Sequence, residues 1–155
     1  MGDTLRDRIK QSRFESPVQE AILNILVAAG HIRERVNRLC LVHDISHTQF
    51  NVLRILKGGP PDGYPRHDIQ ERLVERAPDV TRLIDRLESR GLVVRTRSDR
   101  DRRLSVTRIT PAGLSLLVDL QPHVQVLMDE LATRLNEHDC RELSRICEGI
   151  YSGEE

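Results

Sequence analysis

Aromatic side chains are scarce in this chain: two Tyr, two Phe and no Trp, 3 % of 155 residues. A core built without them must be aliphatic, and a site that works by stacking large rings has few parts to draw on. Cysteine is scarce too, at three. An odd number without metal-type spacing speaks against a disulfide framework or a zinc ribbon and fits reduced thiols in a cytoplasmic protein. No apolar run approaches the ~18 residues of a membrane span, and the opening residues MGDTLRDRIKQSRF lack the apolar centre of a secretory signal. The expectation is a soluble, cytoplasmic chain with no membrane partner. Also absent are a Gly-rich phosphate loop, a nucleophile elbow and paired acid–base residues. No catalytic residue, no cofactor and no enzymatic activity is therefore expected.

The net charge is zero, 24 Lys+Arg against 24 Asp+Glu, which by itself advertises no polyanionic partner. The distribution does. From Arg76 to Thr110 ten Arg stand against five acids, whereas Asp129 to Glu155 holds eight acids and three Arg. Charge is thus segregated into a basic lobe and a remote acidic one, the footprint of a nucleic-acid-facing region and its support. The basic residues are nearly all Arg, the side chain suited to bidentate phosphate and guanine contacts.

The basic stretch organises the rest. Asp79 to Arg90 places Val80, Leu83, Ile84 and Leu87 on one helical face and Thr81, Arg82, Asp85, Arg86 and Ser89 on the other. Gly91 stands where a helix end needs a residue tolerant of positive φ. Residues 92–94 and 104–107 read as two strands joined by Ser98-Asp99-Arg100-Asp101-Arg102-Arg103. A polar-faced helix followed by a basic hairpin is how a winged helix offers one element to each DNA groove. Thr81 and Arg82 lie near the end that enters the major groove, Arg86 follows one turn on, and Arg76 can reach the backbone. Asp79 would repel phosphate there, unless it accepts from cytosine or holds Arg82 or Arg76. In the hairpin, Arg100, Arg102 and Arg103, flanked by Arg95, Arg97 and Arg108, are more than solubility needs, and an Arg braced by a neighbouring Asp can lie in a narrow A·T-rich minor groove.

Upstream, residues 1–15 read as a frayed arm or short helix. Ser16-Pro17 opens a long helix whose apolar positions Val18, Ile22, Ile25, Ala29, Ile32, Val36 and Leu39 step by fours and threes, a seam of coiled-coil type. Its first half needs a partner, expected in part from a second subunit. Ser46 and Gln49 fit a capping box, and the helix they start buries Phe50, Leu53, Ile55 and Leu56 before Gly58-Gly59. GGPPDGYP reads as a surface connection and His67–Leu73 as a short helix. Thr110-Pro111 opens another long helix, which Pro122 should kink or divide. Asn136 caps a last helix carrying Leu143, Ile146, Cys147 and Ile150, a face expected in the dimer interface with Val18, Ile22 and Ile25. The fold expected is mainly α (α+β): a winged helix-turn-helix with a two-stranded β-wing over 46–110, and long helices at 16–45 and 111–155 as a dimerisation region, all one domain of 1–155.

Cys40, His43 and His47 are spaced for metal ligands, but Asp44–Ser46 reads as a helix break and only His123 could match them from the 111–135 helix; no metal site is expected. Cys40 could alternatively serve as a peroxide-sensing thiol, although it sits in the apolar seam with only Arg38 nearby. A winged-helix protein-interaction module that no longer binds DNA is the other alternative.

From Gln49 to about Leu117 the chain resembles the MarR-type (multiple antibiotic resistance regulator) transcription factors, through DVTRLIDRLESRGLVVR at 79–95, DRR at 101–103 and T-x-x-G at Thr110 to Gly113. The flanking long helices extend the resemblance over nearly the whole chain. It implies a homodimer with interlocked terminal helices, two winged regions on a pseudo-palindromic double-stranded DNA operator, and repression relieved by a small molecule or oxidant. It further implies that Arg103 is the minor-groove arginine with Asp101 as its brace, and that Thr81 and Arg82 enter the major groove. Departures are Arg76 and Ala77-Pro78 before the helix and Ser98 in place of a frequent wing Asp, which leave base preference open. The resemblance names no effector and no ligand-binding residue.

Overall fold

The computed structural model describes residues 3–98 and 103–152. The chain forms α1 (Asp3–Ile9), α2 (Pro17–Leu41), α3 (His47–Lys57), β1 (Tyr64–Pro65), α4 (Arg66–Arg72), α5 (Val80–Ser89), β2 (Val93–Arg97), β3 (Ser105–Ile109), α6 (Pro111–Ala132) and α7 (Glu137–Tyr151). Each long helix starts where its capping residue predicts. The side chains of Ser16, Ser46, Thr110 and Asn136 accept the amide protons of Gln19, Gln49, Gly113 and Asp139. In α3 Gln49 returns the bond to the Ser46 amide, completing the capping box.

The sheet has three antiparallel strands in the order β1-β3-β2, so the expected two-stranded wing is an incomplete description. Tyr64 pairs with Thr107 and Pro65 with Val106 on the far side of β3. The third strand is only two residues long and contains a proline, which is tolerated at an edge because no ladder N–H is required of it. Gly63 makes the pairing possible: its φ is +83°, and a Cβ there would overlap the Thr107 carbonyl.

The core is aliphatic and centred on α3 and α5. Val52 and Leu53 of α3, Ile69 of α4, Leu87 of α5 and Leu120 of α6 are fully buried. Val36 and Cys40, from the last turns of α2, close it on one side. Val52 was not anticipated from periodicity, since α3 is enclosed on more than one face. Two other expectations are corrected. Pro122 does not divide the helix after Thr110, because α6 runs unbroken from Pro111 to Ala132. The strands also extend further than read, to Arg97 and Ile109.

The join between the sheet and α6 explains the T-x-x-G motif. The Thr110 hydroxyl donates to the Gly91 carbonyl at 2.7 Å and accepts from the Gly113 amide at 3.1 Å, while the Thr110 amide donates to Leu92 O at 3.1 Å. That same Leu92 oxygen lies where a Cβ on Gly113 would be, with Ile109 Cγ1 only 2.7 Å from that point. Alanine would gain up to about 1 kcal/mol of helix propensity over glycine, but overlap with a backbone carbonyl cannot be relieved by a rotamer change. Gly113→Ala is therefore expected to lose about 1–2 kcal/mol net, read as a lower urea midpoint at unchanged slope.

One surface is left uncovered. The first turns of α2 expose Val18 (70 %), Ile22 and Leu26, and α7 buries no residue at all although it carries Leu143, Ile146 and Ile150. Ile25 and Cys147 are half-buried. No helix among the described residues is long and apolar enough to cross a membrane.

Candidate nucleic-acid interface

Helix α5 is amphipathic as its spacing requires: Val80, Ile84 and Leu87 are buried and Leu83 half-buried, whereas Thr81, Arg82, Asp85, Arg86 and Ser89 are exposed. Asp79 is its N-cap, accepting the Arg82 amide proton at 2.9 Å. The carboxylate that seemed ill placed beside phosphates is thus employed by the backbone, and the Arg82 side chain is left to project. At the other end the Gly91 amide donates to Glu88 O and the Leu92 amide to Leu87 O, with Gly91 at φ +70°. This paired termination stops the helix and turns the chain directly into β2.

Arg76, Arg82 and Arg86 come together around one open depression of about 280 Å³, floored by Ala77, Pro78 and Leu83. Thr48, from the first turn of α3, lines it as well. Sequence reasoning missed Thr48, though the capping box already placed it in a helical first turn, where amides without intrahelical partners favour an anion. None of the three guanidinium groups has an ion-pair partner among the described residues. Glu75, engaged by Arg33, and the capping Asp79 line the same depression, so three guanidinium groups against two carboxylates leave it net basic and attractive to a polyanion.

The wing stands beside this ridge. Arg97 ends β2, opposite Ser105, and Arg103 leads into β3; both are exposed. Arg97 and Arg103 line a second depression, of about 400 Å³, with Arg95, Thr96, Leu104 and Ser105. The Ser98 amide donates to Leu104 O at 2.9 Å and holds the base of the turn. Arg100, Asp101 and Arg102 lie outside the described residues.

Three arginines, two of them from the basic stretch, are engaged within the fold. Arg95 donates from its amide and Nε to the two Glu88 oxygens at 2.9 and 2.8 Å and pairs with Asp85 as well. The Arg95 guanidinium holds the Glu88 carboxyl below the usual carboxylate range. Arg90 donates to the carbonyls of Asp44 and His43 at 2.6 and 2.9 Å, at the corner between α2 and α3. Arg33 of α2 pairs with Glu75, in the turn before α5, at 2.8 Å. No local pattern announces these bonds, because each joins residues brought together only by the fold.

Cys40 does not look like a sensor thiol. It is fully buried, and burial pushes its pKa up to about 11, leaving a thiolate fraction on the order of 10⁻⁴ at pH 7. Iodoacetamide at pH 7 should leave Cys40 intact until the protein unfolds, as read by peptide mass spectrometry. Cys40 labelling in the native protein at a rate near that in the urea-unfolded protein would overturn this. Among the described residues no three His, Cys, Asp or Glu side chains gather as a metal site.

A buried three-helix unit, an exposed arginine ridge and an adjoining basic hairpin define a winged helix-turn-helix protein. Residues 45–105 match the model of the MarR family. The chain is 30 % identical over 110 residues to the HTH-type transcriptional regulator MhqR of Bacillus subtilis, covering 70 % of this chain and 73 % of that one. It is 38 % identical to a MarR transcription factor from Planctomyces limnophilus, whose crystal structure superposes with a TM-score of 0.66 over 88 % of this chain and 98 % of the other. The fold is also that of MepR from S. aureus in a structure of its DNA complex, with a TM-score of 0.73 at 20 % identity over 83 % and 93 % of the two chains. The chain belongs to the MarR family.

Proposed function

We propose that this protein is a homodimeric transcriptional repressor that binds a pseudo-palindromic double-stranded DNA operator and is released by a small-molecule effector. The observation that carries the reading is the cluster of Arg76, Arg82 and Arg86 at the exposed face of α5, unpaired among the described residues and flanked by the wing arginines. In this reading Thr81 and Arg82 read base edges in the major groove, Arg76 and Arg86 hold phosphates, and Arg97 and Arg103 follow the minor groove. The assignment of Arg100 and Arg102 to the same groove, and of Asp101 as the brace of Arg103, rests on the family resemblance. No residue is given a catalytic role, and none of the binding steps requires a cofactor.

The second copy would cover the apolar faces of α2 and α7: Val18, Ile22 and Ile25 with Leu143, Ile146, Cys147 and Ile150. Residues 16–45 and 111–155 then form the dimerisation region and 46–110 the winged region. Effector control needs a ligand that favours one spacing of the two winged regions. An open depression of about 230 Å³ between α2 and the winged region, lined by Gly30, Asn37, His47 and Glu75, lies where a ligand could act on that spacing.

Selecting bound duplexes from a random pool tests the reading. An inverted repeat with half-sites about one DNA turn apart is expected, with affinity falling steeply between 50 and 200 mM salt as about counterion release dictates. Recovery of no preferred sequence, with weak binding indifferent to salt, would instead leave a protein-interaction module.

A further inference from the structure

Gly91, at φ +70°, and Leu92 alone separate the end-cap of α5 at Arg90 from the start of β2 at Val93. A single glycine is a poor rigid joint, and a two-stranded ribbon beyond its packed base has little stiffness of its own. Besides the backbone bond from the Leu92 amide to Leu87 O, a side-chain brace crosses that joint. The Arg95 guanidinium on β2 reaches back to Glu88 at 2.6 Å and to Asp85, one turn apart on α5, and the Arg95 amide is held by Glu88 as well. Asp85 and Glu88 lie toward the C-terminal half of the helix, so the contacts fix both its tilt and its rotation relative to the strand. Asp85 also falls on the exposed face between Arg82 and Arg86, where an uncompensated carboxylate would oppose phosphate.

We propose that Arg95 is a positioning residue for DNA recognition: it locks α5 to β2 across the Gly91 joint, so that helix and wing meet the duplex at one set angle. The inference rests on the DNA-binding reading above. Arg95 does not itself touch DNA in this account. Its planar fork satisfies two carboxylates from one position, which a lysine ammonium cannot do with the same geometry. Sequence selectivity, which needs both elements seated at once, depends on it; general attraction to duplex DNA does not.

The test uses the full-length protein, a duplex selected by the wild type and a scrambled duplex of equal length and composition, at one salt concentration. The double variant Asp85→Asn/Arg95→Gln removes one charge of each sign, so net charge is unchanged while the brace is lost. Affinity for the scrambled duplex should stay within about twofold, and the ratio of selected to scrambled affinity should fall about tenfold or more. Arg95→Lys, which keeps the charge but not the fork, should fall in between. Faster hydrogen exchange at the Arg95 amide in the double variant should accompany the loss. An unchanged ratio in both folded variants overturns the proposal. Loss of the cooperative thermal transition in both would make Arg95 a residue of fold stability and overturn it equally. If the wild type itself fails to distinguish the two duplexes, the DNA-reading function falls first, and that is seen in the wild-type arm alone.

Discussion

The double substitution Ile146→Asp/Ile150→Asp is expected to give a folded monomer whose affinity for a two-half-site operator is lower by about 10²–10⁴. Ile146 and Ile150 are 48 % and 50 % exposed in the single chain, one turn apart on a helix that buries none of its residues. Surface positions of this kind change protomer stability by about 0.5 kcal/mol or less, so the core around α3 and α5 should be untouched. In a dimer the same positions become interior, and each carboxylate loses its water without gaining a cation, at a cost of several kcal/mol. The monomer must then bind one half-site at a time. The gain from presenting a second winged region at high local concentration disappears, while contacts within each half-site survive. Sedimentation velocity and fluorescence anisotropy on full and half operators read the two effects separately. Sedimentation as an unchanged dimer would remove α7 from the interface, and a monomer with undiminished operator affinity would remove the need for a pair.

Arg82→Ala should cost about 1–3 kcal/mol on the selected operator and flatten the preference at one base pair per half-site. The reason lies in how the first turn of α5 is built. Asp79 engages the Arg82 backbone amide, fixing the residue in that turn, and the side chain extends from there without an ion-pair partner among the described residues. Arg103→Ala acts at the other groove and should weaken binding most where the flanks are A·T-rich, because a narrow minor groove concentrates negative potential. The two variants should therefore differ in which positions lose information when bound sequences are selected again. Equal, position-independent losses would reduce both residues to phosphate contacts, and the salt slope would then fall by about one for each.

Much of this architecture was legible before any coordinates. The caps at Ser16, Ser46, Thr110 and Asn136 are local chemistry, satisfied within three residues, so they can be read in linear order. The two faces of α5 are likewise a matter of spacing. The edge strand at Tyr64–Pro65 was not legible, since two residues show no alternation and pairing depends on Gly63 approaching Thr107 closely. The joint offered as one reading of Pro122 failed for a different reason. A proline deletes one helical hydrogen bond, but α6 has apolar packing on both sides of it, with Leu120 and Leu127 buried, and the helix continues. Within the candidate site, Arg76, Arg82 and Arg86 were found from charge and position. The separate duties of Arg90 and Arg95 were not, because an arginine's partner is decided by the tertiary fold and ten Arg between residues 76 and 110 look alike in a string; the partner of Arg33 lies 42 residues away and is equally invisible there.

The bonds from Arg33 to Glu75 and from Arg90 to the His43 and Asp44 carbonyls have a mechanical corollary. A rod pinned at one point can swivel; one moored fore and aft can only be carried. The first bond moors the approach to α5 and the second its tail, and both run toward α2. In an assembled pair a displacement of α2 would accordingly be passed to α5 through these two moorings.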